Sequence, residues 1–173
     1  MSLTDLLVPD LICDRVMDVP FDDFVRQGVK AVVFDIDNTL VSYDTPTPPR
    51  AIRDLLLSFD SLGIRVALVS NNSPDRVRIF NESLGLFAVP DAHKPLKRAL
   101  RPVLEQFGLR GEELLLVGDQ LLTDVLAARL HGAYAAVVQP IKKKENRFFR
   151  FKRFLEKPFV RIYYKRKKKE NAK

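Results

Sequence analysis

Val29-Lys30-Ala31-Val32-Val33-Phe34 is a short apolar, β-branched run, and it stops abruptly at Asp35-Ile36-Asp37-Asn38-Thr39-Leu40. A run of that length and composition reads as a strand buried on both faces, which is the habit of parallel sheets. Further along, Ile52, Leu55, Leu56 and Phe59 recur at helical spacing between Pro49 and Leu62, with Gly63 placed as a C-terminal cap. Arg65–Val69 reads as a second strand. Ser73-Pro74 opens a helix with Val77, Phe80 and Leu84 as its core stripe and Gly85 after it. Phe87–Val89 reads as a short strand and Leu96 to Phe107 as a helix stopped by Gly108. Leu114–Val117 is a strand, Leu122–Leu130 a helix and Ala133–Val138 a last strand. Strands alternating with helices through short links predict an α/β fold, a doubly wound parallel sheet covered on both faces. The expected organisation is a core over residues 29–140, an extension over 1–28 that packs on it, and a tail over 141–173. We find no internal repeat.

Composition narrows the class. The 173 residues suit one domain, 46% hydrophobic content is too high for a disordered chain, and 7 Gly are too few for a fibrous repeat. Cys13 is the only cysteine, which excludes an internal disulfide and a CxxC metal site and points to a reducing compartment. Leu130 to Ile141 is the longest stretch without a charge, well short of the ~20 residues a spanning helix needs. The first ten residues carry Asp5 and Asp10 where a signal or transit peptide needs bases, so the mature chain is expected to start here and stay inside the cell. The net charge of +7 is unevenly placed. Residues 141–173 hold 15 Lys/Arg against Glu145, Glu156 and Glu170, a net +12, which leaves the rest of the chain at −5. A mildly acidic body with a strongly basic tail implies a polyanionic partner for the tail.

In such a sheet, ligands bind beyond the carboxyl ends of the strands. The residues there are Asp35-Ile36-Asp37-Asn38-Thr39, Ser70-Asn71-Asn72, His93-Lys94-Pro95 and Gly118-Asp119 through Asp124. Asp35, Asp119 and Asp124 together would form a strongly negative site, unstable without a cation, and all-oxygen ligands suit Mg²⁺. Lys94 and Mg²⁺ could neutralise a phosphoryl dianion, with Ser70 Oγ and the backbone N–H groups after it, beginning at Asn71, donating to its oxygens. Asp35 could then act as nucleophile and accept the phosphoryl group. Asp37, two residues on in extended backbone, would face the same side and could serve as general acid and base.

Each residue alone has a plainer reading. Aspartates after strands are often turn residues or N-caps, Lys94 could be a solvated lysine, and Ser70-Asn71 simple loop chemistry. Asp35–Thr39 overlaps the start of a calcium loop, but Leu40 stands where that loop needs Gly and Pro46 where it needs Glu. No GxGxxG or GxxxxGK[ST] is present, so dinucleotide and P-loop readings have no anchor. His93 and His131 read as structural. The functional reading gains its force from the joint order, each set at a strand exit.

These four sets resemble the four motifs of the haloacid dehalogenase superfamily of aspartate-dependent phosphatases, over roughly residues 29–140. The resemblance implies a Rossmann-like core, Asp35 as nucleophile and Asp37 as acid/base. Ser70, Asn71 and Lys94 would hold the phosphoryl group, and Asp119 and Asp124 would serve Mg²⁺ with Asp35 and the Asp37 carbonyl. The second Asp separates phosphatases from the dehalogenase members, which lack it. The wording Val69-Ser70-Asn71-Asn72, Ala92-His93-Lys94-Pro95 and Gly118-Asp119-Gln120-Leu121-Leu122-Thr123-Asp124 is similar to the YqeG branch. That branch resembles the phosphatidylglycerophosphate phosphatases of mitochondria and plastids.

The gaps from Asp35 to Arg65 and from there to Lys94 leave no room for a cap domain, so the site is expected to be open. In the tail, Phe148, Phe151, Leu155, Phe159 and Ile162 follow helical spacing, although Pro158 would bend or break that helix. Interleaved Arg, Lys and aromatics suit a segment lying on an anionic bilayer, and single-stranded nucleic acid would suit the same composition. A solvated tail partly packed on the body is the third possibility. The expectation is therefore a capless, Mg²⁺-dependent phosphomonoesterase, cytoplasmic and peripherally membrane-associated, acting on a phosphorylated lipid, phosphatidylglycerophosphate above all. A nucleic-acid 3′-phosphate, a phosphoprotein or a sugar phosphate is the first rival substrate. A non-catalytic protein binding anionic lipid or nucleic acid is the second rival, and the intact acids argue against it. The oligomeric state is not legible in the sequence.

Overall fold

The computed structural model describes residues 2–142 and 147–170. Six parallel strands form one sheet: β1 (Leu11–Cys13), β2 (Ala31–Phe34), β3 (Arg65–Val69), β4 (Phe87–Val89), β5 (Leu114–Gly118) and β6 (Tyr134–Val138). Their order across the sheet is β1-β6-β5-β2-β3-β4. The chain builds outward from β2 through β3 to β4, then returns to the other side of β2 with β5 and β6. The switch of direction thus falls between β2 and β5, the position at which such sheets open a crevice for ligands.

Alternation along each strand sorts the core into two layers. Val32, Phe34, Val66, Leu68, Leu115 and Val117 face one side of the sheet. They meet α2 (Phe21–Arg26), α3 (Arg50–Ser61) and α4 (Pro74–Asn81) through Phe24, Ile52, Leu56, Phe59, Val77 and Phe80. Val33, Ala67, Val69, Leu114, Leu116, Ala135 and Val137 face the other side, against α5 (Arg101–Phe107) and α6 (Leu126–Arg129). Because both faces are covered, β2 and β5 are buried along their whole length, which is why their sequences run apolar rather than alternate. Ser73 caps α4 by accepting from Arg76 N, and Gly108 closes α5 at φ 62, the left-handed conformation glycine tolerates best.

Two segments differ from the sequence expectation. The first is the N-terminal extension, in which residues 11–13 join the sheet as edge strand β1 in register with Ala136–Val138. Asp10 fixes that docking. Its carboxylate accepts from Ala135 N at 2.8 Å and pairs with Arg129 at 2.9 Å, while Arg129 also donates to the Val8 carbonyl. A three-residue strand is too short to announce itself by periodicity. Leu3–Leu7 precedes it as helix α1.

The second is the tail. It forms one helix, α7 (Arg147–Glu170), which runs through Pro158 without ending there. Phe154 and Pro158 are both exposed, so the turn in which proline removes an N–H donor lies on the solvent side of the helix, where water can meet the unpaired group. Tertiary anchors on either side hold the helix in place. Phe159 and Val160 pack on the layer with α5 and α6, and Tyr163 is buried. Glu156 is only 3% exposed and accepts from Leu121 N at 2.9 Å and Leu122 N at 3.2 Å. It satisfies donors at the start of the helical segment after β5, with its negative charge at the helix's positive end.

Glu156→Ala should therefore cost about 1–3 kcal/mol of unfolding free energy, the usual price of leaving buried donors unpaired. Urea unfolding of the two full-length chains measures it. Equal midpoints and slopes would mean that α7 is not anchored through this carboxylate.

Candidate active site

The carboxyl ends of β2, β3 and β5 converge on a cavity of about 200 Å³. A larger concavity, about 720 Å³, lies at the β1 edge between α1 and the end of α7, away from the strand exits that carry the acids. Asp35 follows β2 directly, its N–H held by the Val117 carbonyl of β5 at 2.9 Å. Ile36, Leu40 and Val41 turn inward and are buried, while Asp35 and Asp37, on either side of Ile36, turn toward the cavity. Thr39 Oγ1 donates to Asp35 Oδ2 at 3.2 Å. Asn38, at φ 68, closes the loop and pins residue 142 through its side-chain amide.

Lys94 reaches the floor of the site from a loop stitched to the end of β3. Ala92 N donates to the Ser70 carbonyl and Asp91 N to the Asn72 carbonyl, both at 3.0 Å. Asn71 completes the stitching: its Oδ1 accepts from Lys94 N and its Nδ2 donates to the Lys94 carbonyl. This side chain is spent on positioning Lys94, so what Asn71 can offer a phosphoryl oxygen is its backbone N–H. Ser70 Oγ accepts from Asn72 N at 3.1 Å, which leaves the hydroxyl proton to be donated into the cavity.

The Lys94 ammonium lies 2.6 Å from Asp35 Oδ1 and 2.7 Å from Asp124 Oδ1. The contact with Asp124 is off the direction of a hydrogen bond, so that oxygen is charge-compensated but has no directed donor. Burial works against the charge on Lys94, but Asp124 and Asp35 outweigh it and hold the amine above the ordinary lysine range. For Asp35 burial dominates. It pushes the carboxyl up to about 6, with Asp124 and Asp37 adding to the rise and Lys94 opposing it.

Asp35, Asp119 and Asp124 form a buried group whose ligand atoms lie within 4.8 Å of one another. Three carboxylates against one ammonium leave the group with excess negative charge. All-oxygen donors and an undirected buried carboxylate oxygen fit a hard divalent cation. The carboxylate of Asp37 stands outside this group. It accepts from Arg76 at 2.9 Å and from Asn72 Nδ2 at 3.0 Å.

Three residues at the site escaped the sequence reading, and a fourth, Gln120, was read only as part of its motif and given no role. Arg76, in the first turn of α4, also donates to the carbonyls of Thr45 and Pro46, tying the loop after Asp37 to the helix. Tyr43 lines the cavity, and burial together with the surrounding aspartates holds its phenol above the usual range, hence neutral. Gln120 Nε2 donates to Asp119 Oδ1, and Lys152 of α7 donates to Gln120 Oε1, each at 3.3 Å. None of the four carries a spacing that would have marked it in advance.

The approach of Asp124 to the floor depends on Gly118. A Cβ there would lie 2.5 Å from Asp124 Cβ and from Asp124 Oδ2, closer than packed atoms come. Gly118→Ala should cost about 1–3 kcal/mol through overpacking, and it should weaken divalent-cation binding by displacing Asp124. Urea melts and a calorimetric Mg²⁺ titration check this. A variant that melts and titrates like the parent would refute the close approach.

Comparison with known proteins places the chain in a family. A family model described as haloacid dehalogenase-like hydrolase matches residues 43–132. The probable phosphatase YqeG of Bacillus subtilis is 31% identical over 155 residues, covering 90% of each chain. A chloroplastic phosphatidylglycerophosphate phosphatase 1 of Chlamydomonas reinhardtii is 28% identical over 79% of this chain, which spans 54% of that protein's length. Among solved structures, the cobalt-bound deoxy-D-mannose-octulosonate 8-phosphate phosphatase of Haemophilus influenzae shares the fold. Its TM-score is 0.51 at 18% identity, over 64% of this chain and 68% of that one. With its switch-point crevice, its buried Asp35–Lys94–Asp124 contacts and a match of this extent, the chain belongs to the haloacid dehalogenase-like hydrolases.

Proposed function

We propose that this chain hydrolyses a phosphomonoester through an aspartyl-phosphate on Asp35, and that its substrate is phosphatidylglycerophosphate at an anionic membrane surface. The observation that carries the chemistry is a buried carboxylate, Asp35, facing the same cavity as Asp37 and held 2.6 Å from a buried ammonium. Asp35 attacks phosphorus while Lys94, the Ser70 hydroxyl and the Asn71 N–H stabilise the phosphoryl oxygens. The P–O bond to the leaving group breaks, and Asp37 delivers a proton to the departing alkoxide. Asp37 then takes a proton from water as that water attacks phosphorus, the bond to Asp35 breaks, and inorganic phosphate leaves. Mg²⁺ held by Asp35, Asp119 and Asp124, with the Asp37 carbonyl, would supply positive charge to the phosphoryl group. Arg76 and Asn72 orient the Asp37 carboxylate throughout.

Three features support the lipid substrate. The relatives from Chlamydomonas reinhardtii and Arabidopsis thaliana are named for phosphatidylglycerophosphate. Residues 35–49 and 70–73, which join the strands to α3 and α4, hold no inserted cap, so the cavity opens directly outward. Beside that opening α7 exposes Phe151, Phe154 and Leu155, and farther along it Lys157, Arg161 and Lys165. Basic residues near an anionic surface contribute about 1 kcal/mol each, screened by salt, and the aromatics add apolar burial. Among the described residues no helix is long and apolar enough to cross a membrane, so attachment would be peripheral.

Asp35→Asn should abolish Mg²⁺-dependent phosphate release, and Asp37→Asn should lower it by roughly 10²–10⁴-fold, the usual size of an acid–base contribution. Substantial release by Asp35→Asn would sink the mechanism. For the surface, Phe151→Ser with Phe154→Ser should reduce co-sedimentation with phosphatidylglycerol-containing vesicles, and should depress turnover of vesicle-borne substrate more than that of a soluble aryl phosphate. Sedimentation equal to that of the parent would remove the membrane part of the proposal.

A further inference from the structure

The turn that carries Asp124 begins without a cap from its own first residue. After β5 the chain winds as one wide turn, Leu121–Val125, in which Val125 N reaches back to the Gln120 carbonyl and Leu126 N to the Leu121 carbonyl. Turns of this width gather at functional sites. Gln120 stands at the cap position, and its side chain makes no capping bond. Two buried acids divide that work. Asp124 Oδ2 accepts from Gln120 N at 3.1 Å, the reach of a capping-box acid, and from Thr123 Oγ1 at 3.3 Å. Glu156 answers the next two amides from α7, its Oε1 accepting from Leu121 N at 2.9 Å and Leu122 N at 3.2 Å. The division matters because Asp124 is needed on the floor. Its Oδ1 lies 2.7 Å from Lys94, within the three-acid group that fits a hard cation.

We propose that Glu156 is a positioning residue for the divalent cation: by accepting the Leu121 and Leu122 amides from α7, it leaves Asp124 Oδ1 for the metal. This rests on the cation site of the phosphatase reading above and deepens it. Leu121 is 2% exposed, so water does not readily replace a lost acceptor there, and a buried N–H left unpaired is costly. With Glu156 gone, the carboxylate within the same turn is Asp124, already bound to the adjacent Gln120 N. The open amides then compete with the floor for it. Residues behind a metal ligand act in this way, by fixing the ligand's orientation. The effect falls on cation affinity rather than on the chemical step, because Glu156 holds backbone of the turn after β5 and not the reacting oxygen atoms of Asp35 and Asp37.

The test is a calorimetric titration of full-length chains with Mg²⁺ alone, beside their melting temperatures. Glu156→Ala should weaken Mg²⁺ binding about 10–100-fold, the usual scale for a residue that orients a metal ligand. Glu156→Gln, which retains the acceptor oxygen, should keep most of the affinity. In turnover of a soluble aryl phosphate, Glu156→Ala should need more Mg²⁺ for half-maximal rate, and excess Mg²⁺ should restore most of the maximal rate. A lowered melting temperature with parental Mg²⁺ affinity in Glu156→Ala would mark a purely structural residue and overturn the proposal. Equal loss in Glu156→Gln would overturn the acceptor role. The parent chain supplies a check that needs no variant. By reciprocity Mg²⁺ must strengthen the clamp as much as the clamp strengthens Mg²⁺ binding, so amide exchange at Leu121 and Leu122 should slow when Mg²⁺ is added. Unchanged exchange there would overturn the proposal even where Glu156→Ala does not fold. Failure of the parent to bind Mg²⁺ would overturn the cation site itself, whereas equal binding by parent and Glu156→Ala would overturn the role of Glu156 alone.

Discussion

The Lys94 ammonium, buried between Asp35 and Asp124, is the contact on which the site depends. An ammonium taken out of water alone costs several kcal/mol even after relaxation, so it persists only where carboxylates come to meet it. Here they come from separate places in the chain. Asp35 stands at the end of β2, Asp124 in the turn after β5, and Lys94 in a loop laced to the end of β3. Only a parallel sheet with β2 between β3 and β5 places those three ends side by side. The two apolar layers hold that sheet rigid, and Gly118 lets Asp124 approach closely enough to take part.

Much of this was legible in the sequence because it rests on local rules. Buried parallel strands read as β-branched runs, glycines mark helix ends, and chemistry gathers where strands stop. Asp35, Asp37, Ser70, Lys94, Asp119 and Asp124 all reach the same rim, as expected. Asn71 reaches it too, but its amide spans both backbone groups of Lys94, a pairing that depends on how two distant loops meet. Arg76, Tyr43 and Lys152 are single polar residues whose meaning lies wholly in what they touch. Edge strand β1 was hidden by its brevity, and the helical spacing of the tail was legible but not its continuity through Pro158, whose local cost is met by Glu156, Phe159 and Tyr163 packing on the body.

The division into acidic body and basic tail also changes meaning once the helix is seen. Charge asymmetry alone suggested an appendage. In the fold the same segment presents a buried face that braces the turn carrying Asp124, a rim residue at the cavity, and an exposed face of Phe151, Phe154 and several bases. A single helix thus links the stability of the turn that carries Asp124 to the surface that would meet a membrane. Removing the tail outright would disturb both, which is why point changes on separate faces of α7 separate the roles.

The central claim is that Asp35 itself carries the phosphoryl group. Borohydride reduces an aspartyl-phosphate to homoserine and releases phosphate, so peptide mass spectrometry can locate it. The Asp37→Asn chain, mixed with substrate and Mg²⁺ and quenched into borohydride, should show homoserine at position 35. Turnover by the wild-type chain, with position 35 left as aspartate in every trapped sample and the modification at another residue, would contradict the account.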